Sequence, residues 1–233
     1  MKNTITHDRP QKIVLLNKIG MFGIFSYTIG IIIITCLTSA VAFGNPRVLD
    51  ALIFWPPAVH IRHQYYRFVT CGFIHADMLH LAFNMITFYF FGRALEVYYM
   101  GELGLQHYYF LLLYFSSLIV ANIPTYLKKK DDYNYRSLGA SGAVCAVLFA
   151  FILLKPWAWV DLFGVLPVPA IIYAVLFLVY TMYMAKRGGD NVNHDAHFYG
   201  AIFGVAFTIL VHPGVVHTFF NELTHPRLPP SHS

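Results

Sequence analysis

The sequence has 233 residues, of which 58% are hydrophobic and only 12% are charged, whereas an average soluble chain has about 45–50% apolar and 25% charged residues. This composition indicates an integral membrane protein and excludes an ordinary soluble domain. The net charge of +5 does not indicate nucleic-acid binding, because no basic stripe interleaved with aromatic residues accompanies it, and contacts between loops and anionic lipid account for it.

Stretches without charged residues predict six membrane-spanning helices. In chain order they lie at 19–46, 78–92, 103–127, 137–154, 162–185 and 196–221. A helix needs roughly 20 apolar residues to cross the hydrocarbon core, so the stretches of 15 and 18 residues are short. These two also carry the polar residues His80, Asn84 and Ser141, as expected of helices that border a water-filled cavity.

The six stretches predict one all-α membrane domain at residues 19–213, with an N-terminal segment at 1–18 and a C-terminal tail at 214–233. Four Lys and Arg residues precede the first stretch and one directly follows it, which predicts a cytoplasmic N-terminus. We expect the membrane to be a bacterial-type inner membrane. The charges of the later loops do not strengthen this orientation. The longest connection, at about residues 44–77, is rich in aromatic residues and predicts a structured segment at the membrane interface.

The sequence predicts neither a disulfide framework nor a metal site. Its three cysteines are odd in number, widely spaced and without a CxxC pair. Twelve histidines are many for so apolar a chain. Neither His75 with His80 nor His194 with His197 forms the HExxH pattern of a zinc hydrolase. We therefore expect no cofactor.

Three short motifs carry polar residues that could do chemistry. In the first, HADMLHLAFNM, His80 and Asn84 are four residues apart and therefore lie on one helix face, one turn apart. One interpretation is structural, an interhelical hydrogen bond. The other is a pair of donors that stabilise an oxyanion.

The second motif places Ser141 between glycines at the start of an apolar stretch. A serine there is usually a helix cap or a packing residue. For a nucleophile at this position, the backbone N–H groups of the first helical turn, which lack intrahelical partners, could stabilise the negative charge that develops on a substrate carbonyl. Gly142, Ala146 and Ala150 follow at spacings of four, which predicts a smooth stripe that another helix can approach closely. The motif alone leaves cap and nucleophile open.

The third motif supplies a partner for that stripe. His197, Gly200 and Gly204 stand at positions i, i+3 and i+7, which lie on one helix face. A buried, hydrogen-bonded histidine is the structural interpretation, and a catalytic base is the functional one. The two glycines predict close contact with the helix that begins near Ser141.

In this order the motifs resemble those of the rhomboid family of intramembrane serine proteases, over about residues 65–210. The GASG segment resembles the family's GxSG, and AHFYGAIFG resembles its AHxxGxxxG. The stretch before the second helix resembles the family in an aromatic–arginine pair, two histidines and an asparagine. The residues that carry the resemblance are Tyr66, Arg67, His75, His80, Asn84, Gly92, Glu96, Gly139, Ser141, Gly142, His197, Gly200 and Gly204.

The resemblance implies a six-transmembrane-helix rhomboid-like bundle and hydrolysis of peptide bonds within the membrane. Ser141 would be the nucleophile and His197 the general base, without an aspartate. The oxyanion hole would comprise the backbone N–H of Ser141 with the side chains of His80 and Asn84. The substrates would be transmembrane segments in the lipid bilayer. Glu96 would brace the first loop.

One position departs from the resemblance. Well-studied rhomboids carry an aromatic ring four residues after the nucleophile, stacked on the catalytic histidine, and this sequence has Cys145 there. We expect the ring to come from Phe198, Tyr199 or another residue, or the His197 ring to be held less firmly.

Two other functions stay open from the sequence. Some rhomboid-like proteins have lost the serine or the histidine and serve in binding or quality control, so a non-catalytic chaperone or adaptor on the same fold is the first alternative. A small transporter is the second, suggested by six helices with intramembrane polar groups, although the sequence lacks the two related halves of many transporters. The sequence does not indicate an oligomeric state.

Overall fold

The computed structural model describes residues 26–162, 166–187 and 192–225. Within these ranges the chain is mostly helical, and the predicted segment at 1–18 lies outside them. The long helices are α1 (Tyr27–Gly44), α5 (Met78–Val97), α6 (Tyr108–Lys129), α7 (Ser141–Leu154), α8 (Ala170–Arg187) and α9 (His194–Val211). The short helices are α2 (Pro46–Leu52), α3 (Pro56–Arg62), α4 (Arg67–Thr70) and α10 (Val215–Thr224).

Helix α7 forms the centre of the protein. Every residue from Gly142 to Leu154 is buried, and helices α5, α6 and α9 pack around it. A helix that is apolar on all sides is typical of the interior of a large protein or of a membrane. The shortest of the long helices is therefore enclosed by the others.

Several helices are suited to crossing a membrane. Within the described residues, α1, α6, α8 and α9 are long and apolar enough to do so. A fifth candidate joins Arg67–Phe73 to Met78–Glu102, with a bend of 97° between them. Helix α7 is apolar but shorter. These lengths and compositions are those of a multi-pass integral membrane protein, and the count of six crossings stays a prediction.

A β-hairpin after α7 is the exception to the predicted all-α architecture. Strands β1 (Trp159–Leu162) and β2 (Leu166–Pro169) pair antiparallel, so the helix predicted from residue 162 begins at Ala170 instead. Strand β2 reads Leu-Pro-Val-Pro. Its prolines lack a backbone N–H and clash with the preceding turn of a helix, which explains the late start of α8.

The last predicted stretch, 196–221, is divided into two helices. Helix α9 ends at Val211, and α10 begins at Val215 after a turn that contains Pro213 and Gly214. Proline and glycine commonly follow the end of a helix, because proline cannot continue it. The first half of the predicted tail is therefore helical, and residues 226–233 lie outside the described ranges.

A charged cluster closes the C-terminal end of α7. Nζ of Lys155, the residue after the helix, lies 4.0 Å from a carboxylate oxygen of Glu102 and 3.9 Å from one of Glu222 in α10. The indole N–H of Trp157 also donates to the backbone carbonyl of Glu222 at 3.0 Å. A lysine interacts favourably with the negative end of the helix dipole, so this cluster both ends α7 and holds α10 against it.

The connection at 44–77 contains α2, α3, α4 and a 3-10 turn, and a buried arginine organises it. The guanidinium of Arg67 donates to the backbone carbonyls of Asp50 at 2.7 Å and Ile53 at 2.6 Å, and to the side chain of Gln64 at 2.7 Å. Its charge also lies 5.6 Å from the ring centroid of Tyr66. The location of this segment at the membrane interface stays a prediction.

The carboxylate of Glu96 does not brace the first loop, as the resemblance implied, but caps α1. It accepts hydrogen bonds from the backbone N–H groups of Tyr27 at 2.7 Å and Thr28 at 3.3 Å. The hydroxyls of Ser26 at 2.6 Å and Thr28 at 2.9 Å also donate to it. The first N–H groups of a helix lack intrahelical acceptors and carry the positive end of its dipole, which is why a buried carboxylate is held there.

Replacing Glu96 with Gln should lower the melting temperature of the detergent-solubilised protein by about 3–12 °C. Hydrogen bonds to charged groups are worth about 1.5–3 kcal/mol, and 1 kcal/mol corresponds to roughly 2–4 °C in a chain of this size. Asp131→Asn is the control, because it makes the same carboxylate-to-amide change at an exposed residue of the loop after α6. Equal melting temperatures for the two variants would contradict the capping role.

Candidate active site

Ser141 is the first residue of α7, and its hydroxyl does not cap that helix. The cap position belongs to Ala140, without a side-chain hydrogen bond. Oγ of Ser141 instead lies 2.7 Å from Nε2 of His197, a normal distance for a hydrogen bond between a hydroxyl and an imidazole. The cap interpretation of this serine is therefore wrong.

A left-handed turn at Gly139 leads the chain into α7. Its φ of +114° is a conformation that glycine adopts readily and other residues rarely do. A Cβ added to Gly139 would also lie 2.8 Å from Cε1 of His80. Both the backbone conformation and the neighbouring ring therefore require glycine two residues before Ser141.

His75 holds the backbone beside the serine. Its Nε2 accepts a hydrogen bond from the N–H of Ala140 at 3.4 Å, so the ring proton is on Nδ1, which donates to Oγ of Ser39 at 3.0 Å. Ser39 in turn donates to the carbonyl of Phe73 at 3.1 Å. His75 is only 1% exposed. This chain of hydrogen bonds ties the start of α7 to α1.

The first turn of α9 is fixed against α6. Oδ1 of Asn193 accepts from the N–H of Ala196 at 3.1 Å, which caps α9, and from the hydroxyl of Thr125 at 2.9 Å. Asp195 forms an ion pair with Lys128 at 2.8 Å. Asn193 is not among the residues predicted from the sequence, although an asparagine directly before a helix is a recognised cap signal.

Helices α7 and α9 are in contact through their backbones. A Cβ on Gly200 would lie 2.1 Å from the carbonyl oxygen of Gly142, and one on Gly204 would lie 2.0 Å from that of Ala146. We call these four residues the glycine seam. The close approach that their spacing predicts is present, and it brings His197 to Ser141.

A cavity of about 630 Å³ lies beside the Ser141–His197 pair. Its lining includes the residues that the sequence assigns to a dyad and an oxyanion hole, namely Ser141, His197, His80 and Asn84. Nδ2 of Asn84 donates to the backbone carbonyl of His80 at 2.9 Å, and a carboxamide has a second N–H for another acceptor. The structure therefore gathers a hydroxyl, an imidazole and further donors around one space.

Comparison with known families identifies the fold. The family model for the rhomboid domain matches residues 62–214, more than half of the chain. The chain belongs to the rhomboid family. It is 31% identical to RHOMBOID-like protein 12, mitochondrial, of Arabidopsis thaliana over 145 residues, 57% of this chain and 42% of that relative.

Other rhomboid relatives show similar identities. The chain is 32% identical over 147 residues to YdcA of Bacillus subtilis, which is named as a candidate rhomboid protease, covering 63% of this chain and 67% of the relative. It is 30% identical over 204 residues to Rhomboid-like protein 11, chloroplastic, of Arabidopsis thaliana, which covers 82% of this chain and 65% of the relative. The matches therefore span about two fifths to two thirds of the relatives' own lengths.

In this rhomboid the aromatic ring beside His197 comes from α8. The centroid of the Phe177 ring lies 6.1 Å from that of His197, and the two planes are 30° apart. Phe198 and Tyr199, the two residues from which the sequence led us to expect this ring, pack against each other with centroids 5.4 Å apart. The third expectation, a ring from another residue, is the one observed.

Several residues that carry the rhomboid resemblance do not line the cavity. Tyr66 and Arg67 lie in the connection before α5, and Glu96 caps α1, as described above. Gly92 lies against α1 as well, because a Cβ there would be 2.8 Å from the side chain of Thr28. These residues hold elements together, and none of them is placed to contact a substrate in the cavity.

Replacing Gly204 with Ala should destabilise the protein by about 1–3 kcal/mol, the usual cost of overpacking, and lower its melting temperature by roughly 2–12 °C. The added Cβ would meet a backbone oxygen, which cannot rotate away as a side chain can. Gly30→Ala is the matched control, because a Cβ there meets nothing within 4 Å. A Gly204→Ala melting temperature equal to that of the control would contradict the seam.

Proposed function

We propose that this rhomboid is an intramembrane serine endopeptidase that cleaves transmembrane segments of membrane proteins. The observation that carries the proposal is the 2.7 Å contact between Oγ of Ser141 and Nε2 of His197 beside a cavity. Membership of the rhomboid family supports it, as does the similarity to a Bacillus subtilis protein named as a candidate rhomboid protease.

In the proposed reaction, His197 acts first as a base and then as an acid. Its Nε2 takes the hydroxyl proton of Ser141 while Oγ bonds to the carbonyl carbon of the substrate. The proton then passes to the leaving amine as the C–N bond breaks, which leaves an acyl group on Ser141. Water attacks this ester with His197 again as base, and release of the carboxylic acid restores the serine.

The negative charge that develops on the carbonyl oxygen needs hydrogen-bond donors. We assign this role to the backbone N–H of Ser141, in the first turn of α7, and to the side chains of His80 and Asn84, which line the same cavity. Removing one such donor typically lowers kcat by about 10²–10³. The proposed reaction uses no metal ion or cofactor.

The proposed substrates lie in the lipid bilayer beside the enzyme. A helical segment hides its carbonyl groups in hydrogen bonds along the helix, so it must unwind locally before Ser141 can attack. The cavity lining combines the apolar Leu79 and Phe83 with the charged Asp77 and Arg136. Such a mixed surface suits both an unwound apolar segment and the water that hydrolysis consumes.

The proposed membrane arrangement keeps the expectations from the sequence. All six long helices would cross the bilayer, the connection at 44–77 would lie at the interface, and the N-terminus would be in the cytoplasm of a bacterial-type cell. The two helices that carry His80, Asn84 and Ser141 are the ones that depart from a straight, full-length span. Helix α5 belongs to the bent candidate, and α7 is short.

A non-catalytic chaperone or adaptor is the second candidate function. It is motivated by Cys145, which stands where well-studied rhomboids have an aromatic ring, and by relatives that are named only as rhomboid-like. The ring of Phe177 beside His197 weakens the first of these reasons. No specific observation favours the transporter alternative.

Purified protein in detergent should form a covalent adduct with a fluorophosphonate probe, and the Ser141→Ala variant should not, because the probe bonds to an activated serine oxygen. Ser116→Ala is the control, since the Ser116 hydroxyl donates to the carbonyl of Leu113 within α6 at 3.3 Å. Equal labelling of wild type and Ser141→Ala would refute the dyad. A cellular phenotype that survives Ser141→Ala would favour the adaptor.

The labelling rate should also fall as the pH is lowered through the range in which histidine takes up a proton, ordinarily near 6.5. His197 can accept the hydroxyl proton only while Nε2 is unprotonated, so the active form is lost on the acidic side. Melting temperatures measured at each pH separate this loss from unfolding. A rate that stays constant to below about pH 5 would argue against histidine as the base.

A further inference from the structure

Helix α8 contacts His197 in addition to α7, which carries Ser141. Phe177 lies in α8, half-buried, with its ring centroid 6.1 Å from the His197 ring, within the range of about 4.5–7 Å at which aromatic rings attract. We propose that Phe177 is a positioning residue for His197, an inference that rests on the catalytic role proposed above for that histidine.

The Phe177 ring is itself held on two sides. Tyr173, one turn earlier in α8, stacks on it with centroids 5.7 Å apart and planes 23° apart. Phe149, a buried residue of α7, contacts it at 5.8 Å. Because Phe149 and Ser141 belong to the same helix, these contacts position Phe177 relative to the nucleophile as well as to the base.

The small side chain of Cys145 lies in the same region of the protein as Phe177. It follows Ser141 by one turn of α7, is 7% exposed, and belongs to the apolar cluster against which Phe177 packs. A large side chain at this position would crowd the cluster and with it the Phe177 ring. The small residue on α7 and the ring on α8 are therefore two parts of one arrangement.

A second ring limits His197 from another direction. His194 contacts it edge to face, with centroids 5.8 Å apart and planes 82° apart. A histidine side chain rotates about two bonds, and only orientations that direct Nε2 to Ser141 are productive. Loss of Phe177 should reduce the population of these orientations. It should leave the binding space unaltered, because Phe177 does not line the cavity.

The test compares Phe177→Leu with Tyr183→Leu, which makes a similar change on the same helix. Tyr183 is 57% exposed, and its hydroxyl and ring contact Arg187. We expect Phe177→Leu to lower the maximal rate of fluorophosphonate labelling about three- to tenfold. The probe concentration at half-maximal rate should not change. Tyr183→Leu should keep both wild-type values.

Two further variants separate positioning from general packing. Phe177→Tyr keeps the ring and should restore most of the maximal rate. Cys145→Phe combined with Phe177→Leu puts a ring into the vacated space from α7, and it should label faster than Phe177→Leu alone. Melting temperatures of all the variants, measured alongside, separate a slower labelling rate from a loss of folded protein.

Specific results would overturn the inference. Wild-type labelling by Phe177→Leu, or equal slowing by Phe177→Leu and Phe177→Tyr, would show that the ring does not position His197. A rise in the half-maximal probe concentration without a fall in the maximal rate would place Phe177 in binding instead. The comparison of wild type with Ser141→Ala is made first, and equal labelling there would overturn the proposed function together with this inference.

Discussion

Contact between the backbones of α7 and α9 is the constraint on which the site depends. At the glycine seam, any Cβ on Gly200 or Gly204 would lie about 2 Å from a carbonyl oxygen of the facing helix, so the two main chains already touch. Ser141 and His197 each lie within one turn of the seam. Their separation is therefore determined by the main chains, and a larger residue in the seam would displace a whole helix, which no adjustment of the two side chains could reverse.

Buried polar groups hold the remaining elements to this pair of helices. Arg67 binds carbonyl groups in the connection before α5, Glu96 caps α1, and His75 joins α1 to the turn before α7. In a membrane protein each of these groups would be costly without a partner. Each therefore specifies where one segment lies, and His75 holds the turn directly before Ser141.

The sequence predicts the seam well because helical spacing maps directly onto helix faces. It predicts helix ends less well, because an interval between charges gives only the length of an apolar stretch. Such an interval takes no account of the prolines before Ala170, where α8 begins. The partner of Glu96 lies 69 positions away in the chain, and the ring of Phe177 comes from a different helix than His197. Both contacts depend on how helices are rotated against each other, which spacing within one helix does not determine.

The length of α7 has a consequence for the proposed proteolysis. The helix has 14 residues and ends beside the charged cluster of Lys155, Glu102 and Glu222. At 1.5 Å per residue it is about 21 Å long, against roughly 30 Å for the hydrocarbon core. If the cluster marks one polar edge of the bilayer, as the proposed arrangement requires, the serine would lie about 10 Å inside the opposite edge. In the proposed protease, the length of this central helix would set the depth at which a membrane segment has to unwind to reach Ser141.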